Sequence, residues 1–178
     1  GVELVFEPLS IPDLLDEIAE EYWQHAHVAG IKLKVMEPEA PIPHIHGDKA
    51  LLRQAVTNLV MNGIKYAPKS GEMVLRSEQR HGEVLISIKD SGPGIAETDQ
   101  MRLFEKFFRV KRRGTEKIKG SGLGLAIVRS IAERHNGRVW VHSELDKGST
   151  FFVALPLQSE PSENGRGADP IKVVKSHN

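Results

Sequence analysis

Between Asp48 and Asp90 the apolar residues change their spacing once, from a helical period to a strand period, and this switch constrains the fold more than any other feature. Leu51, Leu52, Ala55, Val56, Leu59 and Val60 recur every three or four residues, as one buried face of a helix requires. Asp48 can cap that helix, which is expected to run to about Tyr66. Beyond the turn residues Pro68 to Gly71, Met73–Gln79 and Glu83–Asp90 read as a hairpin around His81-Gly82. A helix with one apolar stripe and a hairpin with one apolar face bury each other.

The flanking segments extend the same plan. Val2–Phe6 alternates weakly and is expected to be a short strand ended by Pro8. Ser10 reads as the N-cap of a first helix with Asp13 at N3, the stripe Leu14, Leu15, Ile18, Ala19, Tyr22 and Ala26, and Gly30 as its stop. Ile31–Val35 alternates apolar residues with Lys, a strand with one wet face, and the three prolines between Glu37 and Pro43 make an extended loop. A third helix is expected from about Gly122 to His135, stopped by Asn136-Gly137, and Arg138–Ser143 with Ser149–Leu157 forms a closing hairpin. The fold class is therefore α+β, a two-layer α/β sandwich with helices packed on one face of a mixed β-sheet. Residues 1–158 are expected to form one domain. Residues 159–178 carry only four apolar side chains and are expected to remain a disordered tail.

Composition removes several classes of function. With no cysteine among 178 residues there is no disulfide framework, iron–sulfur cluster or thiolate chemistry. The 24 Lys+Arg balance 24 Asp+Glu, which argues against a protein that coats nucleic acid. No apolar run approaches the ~18 residues of a membrane span, so no membrane contact is expected. Gly1-Val2-Glu3-Leu4 has neither a signal peptide's basic region nor an initiator Met. The expectation is a soluble cytoplasmic piece of something longer.

Four short constellations carry the chemistry. Asn58 and Asn62, four apart, share one helix flank, where carboxamides are ordinarily solvated surface but can also give a hard oxygen to Mg²⁺. Lys65 can reach a phosphate as a point charge. Tyr66 can stack on a flat base or simply end the helix in the core. Asp90-Ser91-Gly92-Pro93-Gly94-Ile95 is a tight turn after an apolar strand. It is equally a place where Gly92 and Gly94 let a ligand approach bare backbone and Asp90 accepts from an exocyclic amine. Gly120-Ser121-Gly122-Leu123-Gly124-Leu125 opens a helix with exposed N–H groups, a flexible hinge or a phosphate cradle. It matches neither the dinucleotide fingerprint nor the P-loop ending. Lys106 to Lys119 holds seven Lys/Arg beside Phe104, Phe107 and Phe108. A run like this is usually solvated loop, but beside a phosphate site it reads as a lid, with Arg109 as the cation nearest the aromatic anchor.

The order Asn-x-x-x-Asn-x-x-Lys-Tyr, Asp-x-Gly-x-Gly, Phe-x-x-Phe-Phe, Gly-x-Gly-Leu-Gly-Leu and Gly-Ser-Thr-Phe resembles the ATP-binding catalytic domain of sensor histidine kinases. These correspond to the N, G1, F, G2 and G3 boxes of that family. It belongs to the gyrase, chaperone, kinase and mismatch-repair (GHKL) ATPase superfamily with its Bergerat-type ATP-binding fold. The resemblance implies Mg²⁺ at Asn62 and Asn58, phosphates at Lys65 and at Gly120, Gly122 and Gly124, and the base against Tyr66 and Asp90. It also implies an adenine-site hydroxyl from Thr150, and nucleotide contacts from Ile95, Phe107, Leu123 and Leu125. Gly63 departs from the more usual Ala. Asn58 stands where hydrolytic superfamily members resemble one another in having Glu, and a carboxamide is no general base. The resemblance therefore implies phosphotransfer rather than fast hydrolysis. None of the eight histidines (25, 27, 44, 46, 81, 135, 142 and 177) lies in the family's acceptor pattern. The implied partners are a dimerising, histidine-bearing hairpin of the same kinase and, indirectly, a response regulator. His25 and His27 read as surface residues, and His44-x-His46 as a zinc pair with no third ligand.

Overall fold

The computed structural model describes residues 3–68, 70–110 and 124–157. The elements run β1 (Glu7–Leu9), α1 (Ile11–Val28), β2 (Lys32–Val35), β3 (Ile45–Gly47), α2 (Lys49–Tyr66), β4 (Glu72–Arg80), β5 (Glu83–Asp90), α3 (Glu97–Gln100), α4 (Gly124–Arg134), β6 (Arg138–Glu144) and β7 (Gly148–Pro156). Five strands form a sheet in the order β2-β4-β5-β7-β6. The β2–β4 pair is parallel and the others are antiparallel, so the sheet is mixed, as expected.

Both long helices begin where the side-chain chemistry says they should. The Ser10 hydroxyl accepts from the Asp13 N–H at 3.3 Å, and the Asp48 carboxylate accepts from the Leu51 N–H at 3.1 Å. Each bond satisfies one of the orphan donors of a first helical turn. The buried stripes follow the expected spacing, with Leu14, Leu15 and Ile18 of α1 and Leu52, Val56, Leu59 and Val60 of α2 all essentially sealed from water. Helix α2 lies between α1 and α4, and α1, α2 and α4 each pack on strands of the sheet. Inward-facing residues of β4, β5 and β7, among them Met73, Leu75, Ile86, Ile88, Phe151 and Val153, complete the core. His81 and Gly82 both have positive φ, the backbone that a two-residue hairpin turn needs.

The first strand falls elsewhere than expected. Glu7–Leu9, with Pro8 inside it, pairs antiparallel with β3, opposite His46. Of the expected strand Val2–Phe6, the described residues 3–6 join no strand. A two-stranded ribbon is all edge, and an edge position tolerates a proline that has no N–H to give. Phe6 instead stacks on the buried His135 ring at 4.8 Å, and the Val5 N–H donates to Asp48 at 3.1 Å. His135 Nε2 accepts from the Asp48 N–H at 3.0 Å, while its Nδ1 meets the Ile131 carbonyl at 2.8 Å, so the ring is neutral with its proton on Nδ1. Burial lowers its pKa below the ordinary 6.5, against the opposing pull of the Ile131 carbonyl and Asp48. His25, His27, His44 and His46 are exposed. Among the described residues no three His, Asp or Glu side chains cluster as a metal site, and no helix is long and apolar enough to cross a membrane.

Candidate functional site

A cavity of ≈ 250 Å³ opens between α2, the turn after β5, the Phe-rich segment and the start of α4. Ten of the expected residues line it: Asn58, Asn62, Lys65, Tyr66, Asp90, Gly94, Ile95, Arg109, Gly124 and Leu125. Four separate stretches of sequence thus converge on one space. The α2 contribution follows from helical geometry, because Asn58, Asn62 and Lys65 lie one turn apart beside the buried stripe. The Asn58 amide nitrogen donates to the Gly124 carbonyl at 3.4 Å, tying α2 to the first residue of α4 and leaving the carboxamide oxygen to act as an acceptor or cation ligand.

Asp90 ends β5, and its Oδ1 accepts from the Gly92 N–H at 2.9 Å and the Ser149 N–H at 3.3 Å. Two backbone donors therefore fix the carboxylate before any ligand arrives. Gly92 is buried and does not line the cavity; it orients Asp90. Gly94 has φ +74°, and a Cβ there would collide with the Glu144 carbonyl, so the turn requires glycine. Gly63 is also buried against the cavity wall, and a Cβ at this point of α2 would overlap the end of the Met73 side chain. The flexible thioether fills what the missing methyl leaves, which accounts for the departure from Ala.

Besides Gly92, two expected residues do not line the cavity. Phe107 is 72% exposed with φ +65°, and the next residue, Phe108, lines the cavity in its place. The left-handed turn at Phe107 swings its ring outward. Thr150 sits on the opposite face of β7, paired with Lys89 and His142, while Ser149 and Phe151 face the cavity. The strand's period of two decides this, since neighbours in a strand cannot share a face. Gly120, Gly122 and Leu123 lie outside the described residues, as do most of the basic run and the tail.

The motif reading gave no site role to Met61, Leu103, Phe108, Ser149 and Phe151, which supply much of the cavity wall. For Ser149 the signal was present: it is two residues from the core side chain Phe151 on one strand. Leu103 and Phe104 anchor the Phe-rich segment, with Phe104 edge-on to Phe151 at 6.4 Å. Arg102 lies 4.6 Å over the Phe108 ring. The result is a cleft whose wall combines apolar side chains with a fixed acceptor, two carboxamides, a lysine and an arginine. It can take a flat, amine-bearing ring joined to anionic groups.

Comparison with known proteins agrees with this chemistry. Residues 47–159 match the family described as histidine kinase-, DNA gyrase B-, and HSP90-like ATPases. The sensor-like histidine kinase SenX3 of Mycolicibacterium smegmatis is 36% identical over 160 residues, which are 86% of this chain and 42% of that protein. The chain thus spans about two fifths of that relative's length. Full-length ShkA in complex with AMPPNP superposes with a TM-score of 0.78 at 32% identity, over 90% of this chain and 33% of that one. The nucleotide-free catalytic domain of the histidine kinase ThkA gives a TM-score of 0.74 at 27% identity, covering 86% of this chain and 96% of that domain. ThkA in complex with the response regulator protein TrrA gives 0.71 at 25% identity, over 85% and 42%.

Proposed function

We propose that this chain, which belongs to the family of histidine kinase-, DNA gyrase B-, and HSP90-like ATPases, is the ATP-binding catalytic domain of a sensor histidine kinase in two-component signalling. One observation carries the reading: the pre-fixed Asp90 carboxylate lines the same cavity as Asn58, Asn62, Lys65 and Arg109. Asp90 accepts from the adenine amino group, Tyr66, Ile95 and Leu125 enclose the ring, and Lys65, Gly124 and Arg109 face the phosphates. The glycines Gly120 and Gly122, with Leu123, belong to the same phosphate cradle by their motif.

The donor set fits Mg²⁺. Two neutral carboxamide oxygens are hard ligands, and this ion is held by a few protein oxygens together with phosphate oxygens and water. Asn62 and Asn58 would hold it, and bound there it would neutralise the charge of the phosphates. The chain's own part is to bind, orient and exclude water, and Asn58 offers no carboxylate to activate water for hydrolysis. The γ-phosphate then passes to a histidine on the dimerising hairpin of the same kinase, and from there to a response regulator. Residues 1–158 are read as the ATP-binding unit and 159–178 as a tail; the family match over 47–159 and the packing of α1 on β2, β4 and α2 support the extent of the unit. A cytoplasmic location is part of the same proposal.

Calorimetric titration with a non-hydrolysable ATP analogue, with and without Mg²⁺, tests the reading. Binding that tightens with Mg²⁺ is expected, as is phosphohistidine on a hairpin supplied in trans. Absence of heat under both conditions overturns it.

A further inference from the structure

The β4–β5 ladder stops at Asp90. Met73 opposite Asp90 is its last register pair, and the next would be Glu72 opposite Ser91. Strand β5 ends there, however, and the chain turns away through Gly92 and Gly94. The Ser91 side chain takes over what the missing strand residue would have done. Its Oγ accepts from the Glu72 N–H at 2.8 Å and lies 3.4 Å from the Glu72 carbonyl, to which it donates. These roles are fixed, since an amide N–H can only donate and the hydroxyl proton is left for the carbonyl. In an antiparallel ladder a backbone residue would offer the same acceptor and donor. Gly71 leaves room for the hydroxyl, because a Cβ there would lie 2.9 Å from the Ser91 Oγ.

Asp90 is thus held between two strands. On the β7 side its register partner is Ser149, whose N–H it accepts at 3.3 Å. On the β4 side its partner is Met73, and the Ser91–Glu72 latch is the next bond outward. A ladder opens more readily at its end than in its middle. Opening at this end carries the Asp90 main chain away from Met73, and the carboxylate goes with it. Ser91 is exposed and does not line the cavity, so its effect on a ligand there must pass through its neighbour.

We propose that Ser91 is a positioning residue for nucleotide binding: its hydroxyl closes the β4–β5 ladder one residue past Asp90 and so keeps the acceptor in place. The proposal rests on the nucleotide reading of the cavity and deepens it. A hydroxyl at this position is what the latch requires, so Thr serves as well as Ser and Ala does not.

Calorimetric titration with Mg-ADP, which has no γ-phosphate to transfer, compares five chains. They are the wild type, Ser91→Ala, Ser91→Thr, Asp90→Asn and the double variant Ser91→Ala/Asp90→Asn. The dissociation constant is expected to rise about three- to tenfold in Ser91→Ala, the value of one hydrogen bond, and to match the wild type in Ser91→Thr. In the Asp90→Asn background Ser91→Ala is expected to cost no further affinity, because the acceptor it positions is already gone. Equal affinity in the wild type and Ser91→Ala, or equal loss in the Ala and Thr variants, overturns the latch while leaving the nucleotide site intact. So does a loss of the same size in both backgrounds, which would show that Ser91 acts on the fold at large and not through Asp90. A wild-type chain that does not bind Mg-ADP overturns the reading of the cavity, and the latch falls with it.

Discussion

At the scale of single residues, the site depends on which atoms are held before a ligand arrives. Asp90 spends Oδ1 on the Gly92 and Ser149 N–H groups, so an Asp90→Asn variant that keeps these bonds must present its NH₂ where the other carboxylate oxygen was. A donor would then face the donor of the base. We expect ATP affinity to fall well over tenfold with the thermal midpoint nearly unchanged; unchanged affinity in calorimetry would place the base elsewhere. This is also the scale at which the sequence was least legible. Asn58, Asn62 and Asp90 could be named because spacing on a helix and position at a strand end determine where they point. Ser149 and Thr150, or Phe107 and Phe108, are adjacent and chemically alike. Only the pleat of β7 and the positive φ of Phe107 separate them.

At the scale of elements, period and caps carried most of the fold. The α1 and α2 starts, both hairpins and the helix stop at Asn136-Gly137 were legible because each is a local rule obeyed locally. The β1–β3 ribbon and the parallel β2–β4 pair were not, because they join strands far apart in sequence by contacts that no local pattern encodes. His135 is a further contact of that kind, 87 residues from the Asp48 N–H it accepts from. Burial holds its folded pKa below 6.5, so below about that pH the unfolded chain takes up a proton that the folded chain resists. The stability this group contributes is complete above the unfolded value and is lost as pH falls through the folded one. Thermal midpoints read from pH 8 down to about 5.5 should decline in the wild type more than in His135→Met, which has no proton to take up. Parallel curves would show that His135 does not titrate on unfolding.

At the scale of the whole molecule, the cavity is where the helical layer and the sheet fail to meet, and it draws its lining from α2, β5, β7, the Phe-rich segment and α4 at once. A ligand there adds contacts to the helical layer, the sheet and the Phe-rich segment at once, so binding should register as global stability. At a Mg-ADP concentration of a hundred times its dissociation constant the linkage is worth about 2.7 kcal/mol. For a domain of this size that is a rise of roughly 5–10 °C in thermal midpoint. Scanning calorimetry should find it in the wild type and find it missing in Asp90→Asn at the same concentration. The amino-terminal segment adds a different global property. Val5 is bonded to the residue that caps α2, and Phe6 lies flat on the ring that follows α4, so this segment grips the far ends of the two helices whose other ends border the cavity. A load applied at Glu3 therefore falls first on the ends of α2 and α4 that lie away from the cavity.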